Sequence, residues 1–450
     1  NRSDVKSLVG GRLSTLRHLT AALQTAKRGD KIDGTWKPVM EWFAANDKVD
    51  LDKVKKGLEF TNDQRKLNGR LMRDLYVREG KRDLTLSPSR LERFSRCPFS
   101  HFVAYGLRPA ERRIFEAAGR EIGDIYHRCL MKLSETLTKE KTWHQITEEE
   151  CRTFVSQIVE KETSNYREGV FHFSNEERYK TKRIEDTCFY VCWALVEQIR
   201  AGKIKESLYE VPFGKEQKIA PIEIECGDEK VYIEGKIDRL DVLDQDRVKI
   251  IDYKTGKTVF DIKNIYNGYN MQMVIYAIAA KIKNSDTDVA GIYYTGVRDE
   301  IKELNSSTTE DNIVESNKSA LKLDGVTFTD EDEQLQTKLL YNMDNKFLES
   351  GQVSFTNIKT GRKTGFKEVH TTDEINGLMK YVADTIIEMD SNIRNGKISL
   401  SPYTTSNSSV CDYCSYSPVC KFDKDNCTPR IADSSVKKED IWEILKTKGA

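Results

Sequence analysis

The sequence predicts an α/β fold, because the spacing of its apolar residues changes from helical to strand-like and back. Helical spacing dominates residues 119–201, and short runs rich in β-branched and aromatic residues follow it. A further helix and strand complete the pattern, which is typical of a compact core of helices packed on a sheet. The chain has 450 residues, long enough for about two or three domains.

The first part of the chain, to about residue 80, is predicted to be helical and carries no catalytic pattern. Ser87 followed by Pro88 then indicates the start of another helix, since serine caps a helix N-terminus and proline suits its first turn. The apolar positions that repeat at helical spacing in the first segment include Leu13, Leu16, Leu19, Leu23, Val39, Trp42 and Phe43.

Short strands are predicted after residue 201, and a turn at Asp244–Asp246 indicates a hairpin between two of them. Beyond them we expect a helix at about 262–283, a polar loop at 300–326 and a helix at about 372–395. The predicted strands are Leu208–Phe213, Val231–Asp238, Val248–Asp252 and Ala290–Thr295.

The charge composition alone does not indicate a nucleic-acid binder, because 72 Lys and Arg residues balance 72 Asp and Glu residues. A DNA-binding surface must therefore be locally positive. Candidates are Lys254, Lys257 and a basic turn over 359–367; the alternative for the turn is a solvated loop. The cations of that turn are Lys359, Arg362, Lys363 and Lys367.

Several sequence features are absent. No run of about 18 apolar residues occurs, so we expect no membrane span and a cytoplasmic location. The missing initiator methionine suggests a piece of a longer chain, or a processed one. The phosphate loop Gly-x4-Gly-Lys-Ser/Thr does not occur either, so we expect no ATP-driven motor activity.

Two aspartates and a lysine lie on the predicted hairpin. Asp238 ends one strand, and Asp252 and Lys254 end the next, with thirteen residues between the aspartates. Alternate residues of a strand share a face, so Asp252 and Lys254 project together and Asp238 can meet them across the pair. Carboxylates suit Mg²⁺ or Mn²⁺, which activates water towards a phosphodiester, and a nearby lysine can hold the water or neutralise the phosphate. The alternative is a surface salt bridge, which the apolar flanks of both strands disfavour.

Four further residues are candidates for the same site. Glu210 lies in the first predicted strand and can supply another metal ligand, with an edge-strand surface glutamate as the alternative. His127 lies on a helical pattern, although a lone histidine is more often structural. Gln272 and Tyr276 are four residues apart on a helix and share a face, where they either contact DNA or form a buried polar pair.

Cysteines near the end of the chain have the spacing of a metal centre. Cys411-x2-Cys414-x5-Cys420 supplies three thiolates, one short of four, and Cys97 is the best candidate for the fourth, with Cys427 as a spare. Structural zinc and a disulfide pair are rivals to an iron–sulfur cluster. The cysteines in helical or strand patterns are Cys129, Cys151, Cys188, Cys192 and Cys226, of which we interpret Cys188 and Cys192 as core residues.

Together these motifs resemble the RecB-like branch of the PD-(D/E)xK nuclease superfamily. The resemblance implies an α/β nuclease core with a mixed sheet of about four strands flanked by helices. The matching motifs, in family order, are Gly123-x3-His127, Glu210, Gly235-x-Ile-Asp238, Asp252-Tyr-Lys254 and Gln272-x3-Tyr276.

The same resemblance implies roles for the individual residues. Asp238, Asp252 and His127 are expected to bind Mg²⁺ or Mn²⁺, and Glu210 to assist them. Lys254 is expected to position the water or stabilise the transition state. The expected role of Gln272 and Tyr276 is to orient the DNA strand.

One cysteine before the nuclease motifs and three after them resemble the iron–sulfur centre of AddB-type helicase-nuclease proteins. This second resemblance implies a structural [4Fe–4S] cluster, and it extends to the flanking segments 86–92 and 420–423. The chain then divides into a helical tail of a helicase-like region (1–85), a nuclease domain (86–425) and a C-terminal tail (426–450). The implied cluster ligands are Cys97, Cys411, Cys414 and Cys420.

The implied function is a metal-dependent exonuclease in double-strand-break repair and recombination. It would cut a single DNA strand emerging from unwound duplex, beside an AddA-like helicase-nuclease partner. Two alternatives stay open: a non-catalytic DNA-binding module with a four-cysteine metal centre, and a standalone iron–sulfur nuclease.

Overall fold

The structure is a computed structural model of the chain. None of the described helices is both long enough and apolar enough to cross a bilayer. The residues described are 5–27, 29–59, 66–77, 83–110, 119–166, 171, 174–243, 247–254, 256, 258–283, 287–297, 323–329, 331–344, 360–361, 365–366, 369–406, 408–420, 422 and 427–449.

The described helices fall into an N-terminal group, a central group and a C-terminal group. A 3₁₀ turn at Val5–Leu8 precedes them, and a π-helical segment at Phe102–Leu107 follows α6. They are α1 (Arg12–Lys27), α2 (Trp36–Asn46), α3 (Lys48–Glu59), α4 (Gly69–Tyr76), α5 (Pro88–Arg96), α6 (Pro98–His101), α7 (Gly119–Glu140), α8 (Glu148–Asn165), α9 (Asn175–Ala201), α10 (Ile262–Tyr266), α11 (Gln272–Lys283), α12 (Glu333–Met343), α13 (Thr372–Arg394), α14 (Ser417–Cys420) and α15 (Lys438–Gly449).

The described strands form one large sheet and three small ones. They are β1 (Leu84–Leu86), β2 (Ile204–Phe213), β3 (Ile222–Cys226), β4 (Glu229–Ile233), β5 (Gly235–Leu243), β6 (Val248–Lys254), β7 (Val289–Gly296), β8 (Asp324–Thr329), β9 (Thr360–Gly361), β10 (Gly365–Phe366), β11 (Val369–Thr371), β12 (Tyr403–Thr404) and β13 (Arg430–Ile431).

The large sheet is mixed. Six of the described strands form it in the order β11-β8-β7-β6-β5-β2. β5 runs antiparallel to both β2 and β6, whereas β6 and β7 are parallel. The α/β prediction is therefore confirmed, with two more strands than the resemblance implied.

Helices cover both faces of this sheet. Neighbouring residues of its central strands point to opposite sides, so each strand contacts both helical layers. Ile250 on β6 packs with residues of α11 and α13, whereas Tyr253 on the same strand packs with residues of α7, α8 and α9. Residues near the C-terminal end of β6 therefore lie between two helical layers.

The predicted strand Val231–Asp238 is wrong in one respect: it is two strands that belong to different sheets. β4 pairs with β1 and β3, and β5 pairs with β2 and β6. The chain changes sheets at Glu234, whose backbone N–H donates to Leu86 O at 3.0 Å. Glycine at position 235 then lets the backbone of β5 pass close to Phe213, since a Cβ there would lie 2.7 Å from the Phe213 ring.

The predicted helix over 262–283 is also interrupted. Gly268 and Asn270 have φ values of 73° and 57°, in the left-handed region that ends a helix. The chain re-enters a helix at Gln272, which therefore lies in the first turn of α11. The predicted loop at 300–326 ends earlier than expected, because Asp324 already belongs to β8.

The N-terminal helices and the last helix pack differently. Leu19, Trp36, Phe43 and Leu51 from α1 to α3 form a separate apolar cluster. In contrast, α15 lies against α13 and buries residues such as Trp442 in the main core. The C-terminal segment is thus packed onto the α/β unit.

The face of β5 that points towards α9 carries a buried ionic network that the sequence did not indicate. Asp241 accepts two hydrogen bonds of 2.8 Å from Arg239 and lies 3.3 Å from Lys249 Nζ. Arg239 also donates to Gln198 Oε1 at 3.0 Å. All three charged side chains are buried, so each depends on the others for stabilisation.

Asp241→Asn should therefore lower the free energy of unfolding by about 3–5 kcal/mol, because it removes the carboxylate that pairs with both buried cations. Urea denaturation measures this directly. Glu331→Gln is the matched control, since it removes an exposed partner of Lys446 and should cost at most about 1 kcal/mol. Equal effects for the two variants would contradict the importance of the buried network.

Candidate active site

The two predicted aspartates meet across the central strands of the large sheet. Arg239 is paired with Ile251, so the same register places Asp238 opposite Asp252. The backbone N–H of Tyr253 donates to Asp238 Oδ2 at 3.0 Å. Asp252 is only 1% exposed, which makes it a deeply buried carboxylate.

Lys254 lies two residues along β6 on the same face. Its Nζ is 2.7 Å from Asp252 Oδ2 and donates to Gln272 Oε1 at 2.8 Å. The Gln272 amide nitrogen donates to Asp252 Oδ1 at 3.1 Å and to the Tyr276 hydroxyl at 2.6 Å. Gln272 thus bridges the lysine and the aspartate, and its predicted contact with DNA stays a prediction.

His127 on α7 and Glu210 on β2 complete the group. His127 Nδ1 lies 3.4 Å from Glu210 Oε1 and 3.8 Å from Asp238 Oδ2. One donor atom from each of these three residues lies within 4.8 Å of the other two. All seven residues predicted for the nuclease site are therefore brought together by β2, β5, β6, α7 and α11.

Glu210 has an unusual backbone conformation. Its φ is 50°, in the left-handed region, although it lies within a strand. Such a conformation costs about 1–3 kcal/mol for a non-glycine residue and persists only where the surrounding structure holds it. The strain coincides with the point at which the Glu210 carboxylate meets His127.

The site concentrates negative charge in a buried place. Burial and then the nearby Asp238 charge raise the pKa of Asp252 to about 7, although Lys254 and His127 oppose the shift. Burial likewise raises the pKa of Asp238. The pKa of His127 is raised even though burial opposes it, because Glu210 and Asp238 favour the imidazolium. Glu210 differs from the two aspartates: although burial opposes it, His127 and the ion-paired Lys236 lower the pKa of Glu210.

The donor set fits a divalent cation. Carboxylate oxygens and an imidazole nitrogen are ligands for Mg²⁺ or Mn²⁺. Asp252 Oδ2 is buried and, within the described structure, accepts no hydrogen bond of good geometry despite its ion pair with Lys254. His127, Glu210, Asp238 and Asp252 could hold such an ion.

A second constellation surrounds a cavity of about 290 Å³. Cys97, at the C-terminal end of α5, and the three cysteines of the 411–420 segment line this cavity, called here the cysteine cavity. Cys427 packs in the adjoining apolar cluster but is not part of the cavity wall. The prediction that Cys188 and Cys192 are core residues is confirmed, as both are buried.

Comparison with known families supports the nuclease interpretation of the first constellation. Residues 85–421 match the model of the PD-(D/E)XK nuclease superfamily. The chain belongs to this superfamily. Residues 3–57 match the fifth domain of the ATP-dependent helicase/deoxyribonuclease AddB.

This PD-(D/E)XK chain is also similar to curated B-type subunits of ATP-dependent helicase/deoxyribonucleases. It is 30% identical over 464 aligned residues to that of Clostridium perfringens strain SM101, covering 99% of this chain. The corresponding proteins of Clostridium novyi and Thermoanaerobacter sp. strain X514 are 28% and 29% identical, over 98% and 93% of this chain. The chain spans 37–39% of the length of these three relatives.

In this superfamily member, a cleft of about 670 Å³ opens beside Lys254 and Gln272; it is called here the active-site cleft. Two residues of α5 that sequence reasoning missed, Glu92 and Arg96, line both this cleft and the cysteine cavity. Burial raises the pKa of Glu92, while the Lys254 and Arg96 charges oppose the shift. Their spacing of four residues on a capped helix was the available signal.

Other predicted residues lie outside the described part of the chain. These are Lys257, the hairpin turn Asp244–Asp246, and the cations of the basic turn, Lys359, Arg362, Lys363 and Lys367. Their proposed contacts with DNA stay predictions.

Proposed function

We propose that this chain is a metal-dependent deoxyribonuclease that cuts a single DNA strand. The observation that carries the proposal is the convergence of His127, Glu210 and Asp238 within 4.8 Å, beside the buried Asp252–Lys254 pair. A buried, electron-rich donor set next to a lysine is suited to phosphodiester hydrolysis.

The ion would supply Lewis-acid activation of water and would offset negative charge on the phosphate. The pairing of β5 with β6 places the carboxylates of Asp238 and Asp252 opposite each other. Asp252 and Gln272 hold Lys254 at the edge of the active-site cleft. There the ammonium can neutralise the scissile phosphate or orient the attacking water.

We further propose that the cysteine cavity holds a [4Fe–4S] cluster. A tetrahedral zinc site with Zn–S bonds of about 2.3 Å needs sulfur atoms about 3.8 Å apart. No three described cysteines have their sulfur atoms within 4.8 Å of one another, and the four of the cavity instead surround about 290 Å³. This wider arrangement favours a cluster over a single ion, with Cys97 rather than Cys427 as the fourth ligand.

The names of the relatives suggest the biological setting. Since they are B-type subunits of ATP-dependent helicase/deoxyribonucleases, we propose that this chain works beside an AddA-like partner in double-strand-break repair and recombination. ATP-driven unwinding would belong to that partner, and this chain would cut one emerging strand.

Release of acid-soluble nucleotides from labelled DNA tests the activity. The cluster-loaded protein should degrade single-stranded DNA with Mg²⁺ or Mn²⁺ and should be inactive in EDTA. Protein with a full complement of iron that cleaves no DNA with either ion would refute the proposal and favour a non-catalytic DNA-binding module.

Metal binding should also be visible without DNA. Saturating Mn²⁺ at pH 8 should raise the melting temperature, because a ligand at 100 times its Kd stabilises the folded state by about 2.7 kcal/mol. The increase should vanish in Asp238→Asn, which removes one donor atom. An equal increase in both proteins would place the stabilising ion elsewhere.

A further inference from the structure

Helix α5 forms a wall between the cysteine cavity and the active-site cleft. Arg96 lies in its last turn, lines both spaces and is exposed to solvent. The next residue, Cys97, ends the helix and points into the cysteine cavity. Arg96 therefore lies between the two spaces.

The Arg96 side chain rests on an aromatic platform. Its guanidinium carbon lies 5.5 Å from the centroid of the Tyr269 ring, at cation–π distance. Tyr269 stacks on Tyr403 at 4.9 Å, and Arg430 lies over the Tyr403 ring at 5.3 Å. Arg430 in turn donates to Ser95 Oγ at 3.2 Å, which ties the platform back to α5. The guanidinium is therefore pre-oriented at the cleft.

Arg96 differs from the other cations of the cleft in its charge balance. Lys254 is paired with Asp252 at 2.7 Å, and Lys438 is paired with Asp261 at 3.0 Å. Within the described part of the chain, no carboxylate forms an ion pair with the Arg96 guanidinium, and its electrostatic interaction with Glu92 lies along the same helix. Its positive charge is thus available to an anion in the cleft.

We propose that Arg96 binds a backbone phosphate of the DNA strand that occupies the active-site cleft, next to the phosphate that is cleaved. The inference rests on the proposed nuclease function and names a strand-positioning residue for it. A planar guanidinium suits a phosphate because it can donate two parallel hydrogen bonds. Arg96 and Lys254 both line the cleft, so a strand bound by Arg96 would lie beside the lysine of the site.

The proposed phosphate-binding residue also borders the cysteine cavity. Arg96 lines both spaces, and the adjacent Cys97 lines the cysteine cavity.

The decisive experiment compares Arg96→Gln with wild type as cluster-loaded proteins. Kd for a labelled single-stranded oligothymidylate is measured by fluorescence anisotropy in EDTA over a range of salt concentrations, and KM and kcat are measured with Mg²⁺. We expect Kd and KM to rise about tenfold, kcat to change less than twofold, and the slope of log Kd against log salt to fall by about 0.7, the value for one phosphate contact on a single strand.

Two further variants make the result specific. Arg96→Lys keeps the charge and should restore the salt slope, which a purely structural role would not do. Arg73→Gln removes an exposed arginine of α4 that lines neither space, and it should leave Kd and KM unchanged. If Arg96→Gln loses iron, the Kd, the KM and the salt slope are measured for Arg96→Met instead. Methionine retains an apolar stem against Tyr269.

A wild-type Kd and salt slope in the iron-loaded Arg96 variant would overturn the inference. Failure of the nuclease proposal is distinguishable, since wild type itself would then cleave no DNA.

Discussion

Asp252→Ala is expected to abolish DNA cleavage, with a loss of at least about 10²–10³-fold, the usual effect of removing one electrostatic catalytic group. The substitution removes a buried carboxylate that lies opposite Asp238 and holds Lys254 at 2.7 Å. It also leaves the Gln272 amide without one of its acceptors. Nucleotide release from labelled single-stranded DNA measures the effect, and Asp252→Asn tests the charge with the shape retained.

The fold should survive this substitution. Burial raises the pKa of Asp252 to about 7, above its usual value. A carboxyl group with a raised pKa stabilises the fold below its unfolded pKa, and that stability is lost as pH rises through about 7. At pH 8 the ionised Asp252 carboxylate therefore does not stabilise the metal-free protein. The melting temperature of metal-free Asp252→Ala should be nearly that of the wild type. Asp384→Asn, which removes an exposed partner of Lys448, is the control and should retain full activity. Near-wild-type cleavage by Asp252→Ala would contradict the assignment.

Cys414→Ala is expected to have the largest effect on stability. The proposed ligands flank the 313 residues from 98 to 410, so the cluster closes a very long loop. A cross-link over such a loop is worth about 6 kcal/mol by chain entropy, and metal–thiolate bonds add folding free energy directly. We expect colourless protein, a melting temperature lower by roughly 10 °C or more, and weaker DNA binding because α5 loses its anchor.

Chemical analysis separates the possible outcomes for the cysteine cavity. Cys226→Ser, at a half-buried position outside the cavity, should retain iron and acid-labile sulfide. Wild-type protein with stoichiometric zinc and no sulfide would refute the cluster. A Cys97→Ala variant that keeps a full cluster would instead identify Cys427 as the fourth ligand.

Local patterns predicted much of the site. Asp252 and Lys254 are two residues apart on an apolar strand, and this period of two was enough to place them on one face. His127 and Glu210 could be added only through the motif order of the family, because they lie on α7 and β2, far apart in sequence. Their contact depends on long-range packing that no local pattern encodes.

The parts that sequence reasoning missed depend on tertiary context. Arg239, Asp241 and Lys249 appear in the sequence as ordinary charged strand residues, but α9 covers that face and buries them. The change of sheet at Glu234 follows from pairing with β1, which lies about 150 residues earlier in the chain. Arg96 is distinguished from other surface arginines by the stacked Tyr269 and Tyr403 rings beside it, which only the folded chain brings together.

The most direct test of the account is to locate Mn²⁺ in crystals of the chain by its anomalous scattering. The account predicts an ion about 2.0–2.3 Å from His127 and from carboxylate oxygens of Glu210, Asp238 and Asp252. An ion bound elsewhere, with these four side chains unliganded while Mn²⁺-dependent cleavage persists, would contradict it.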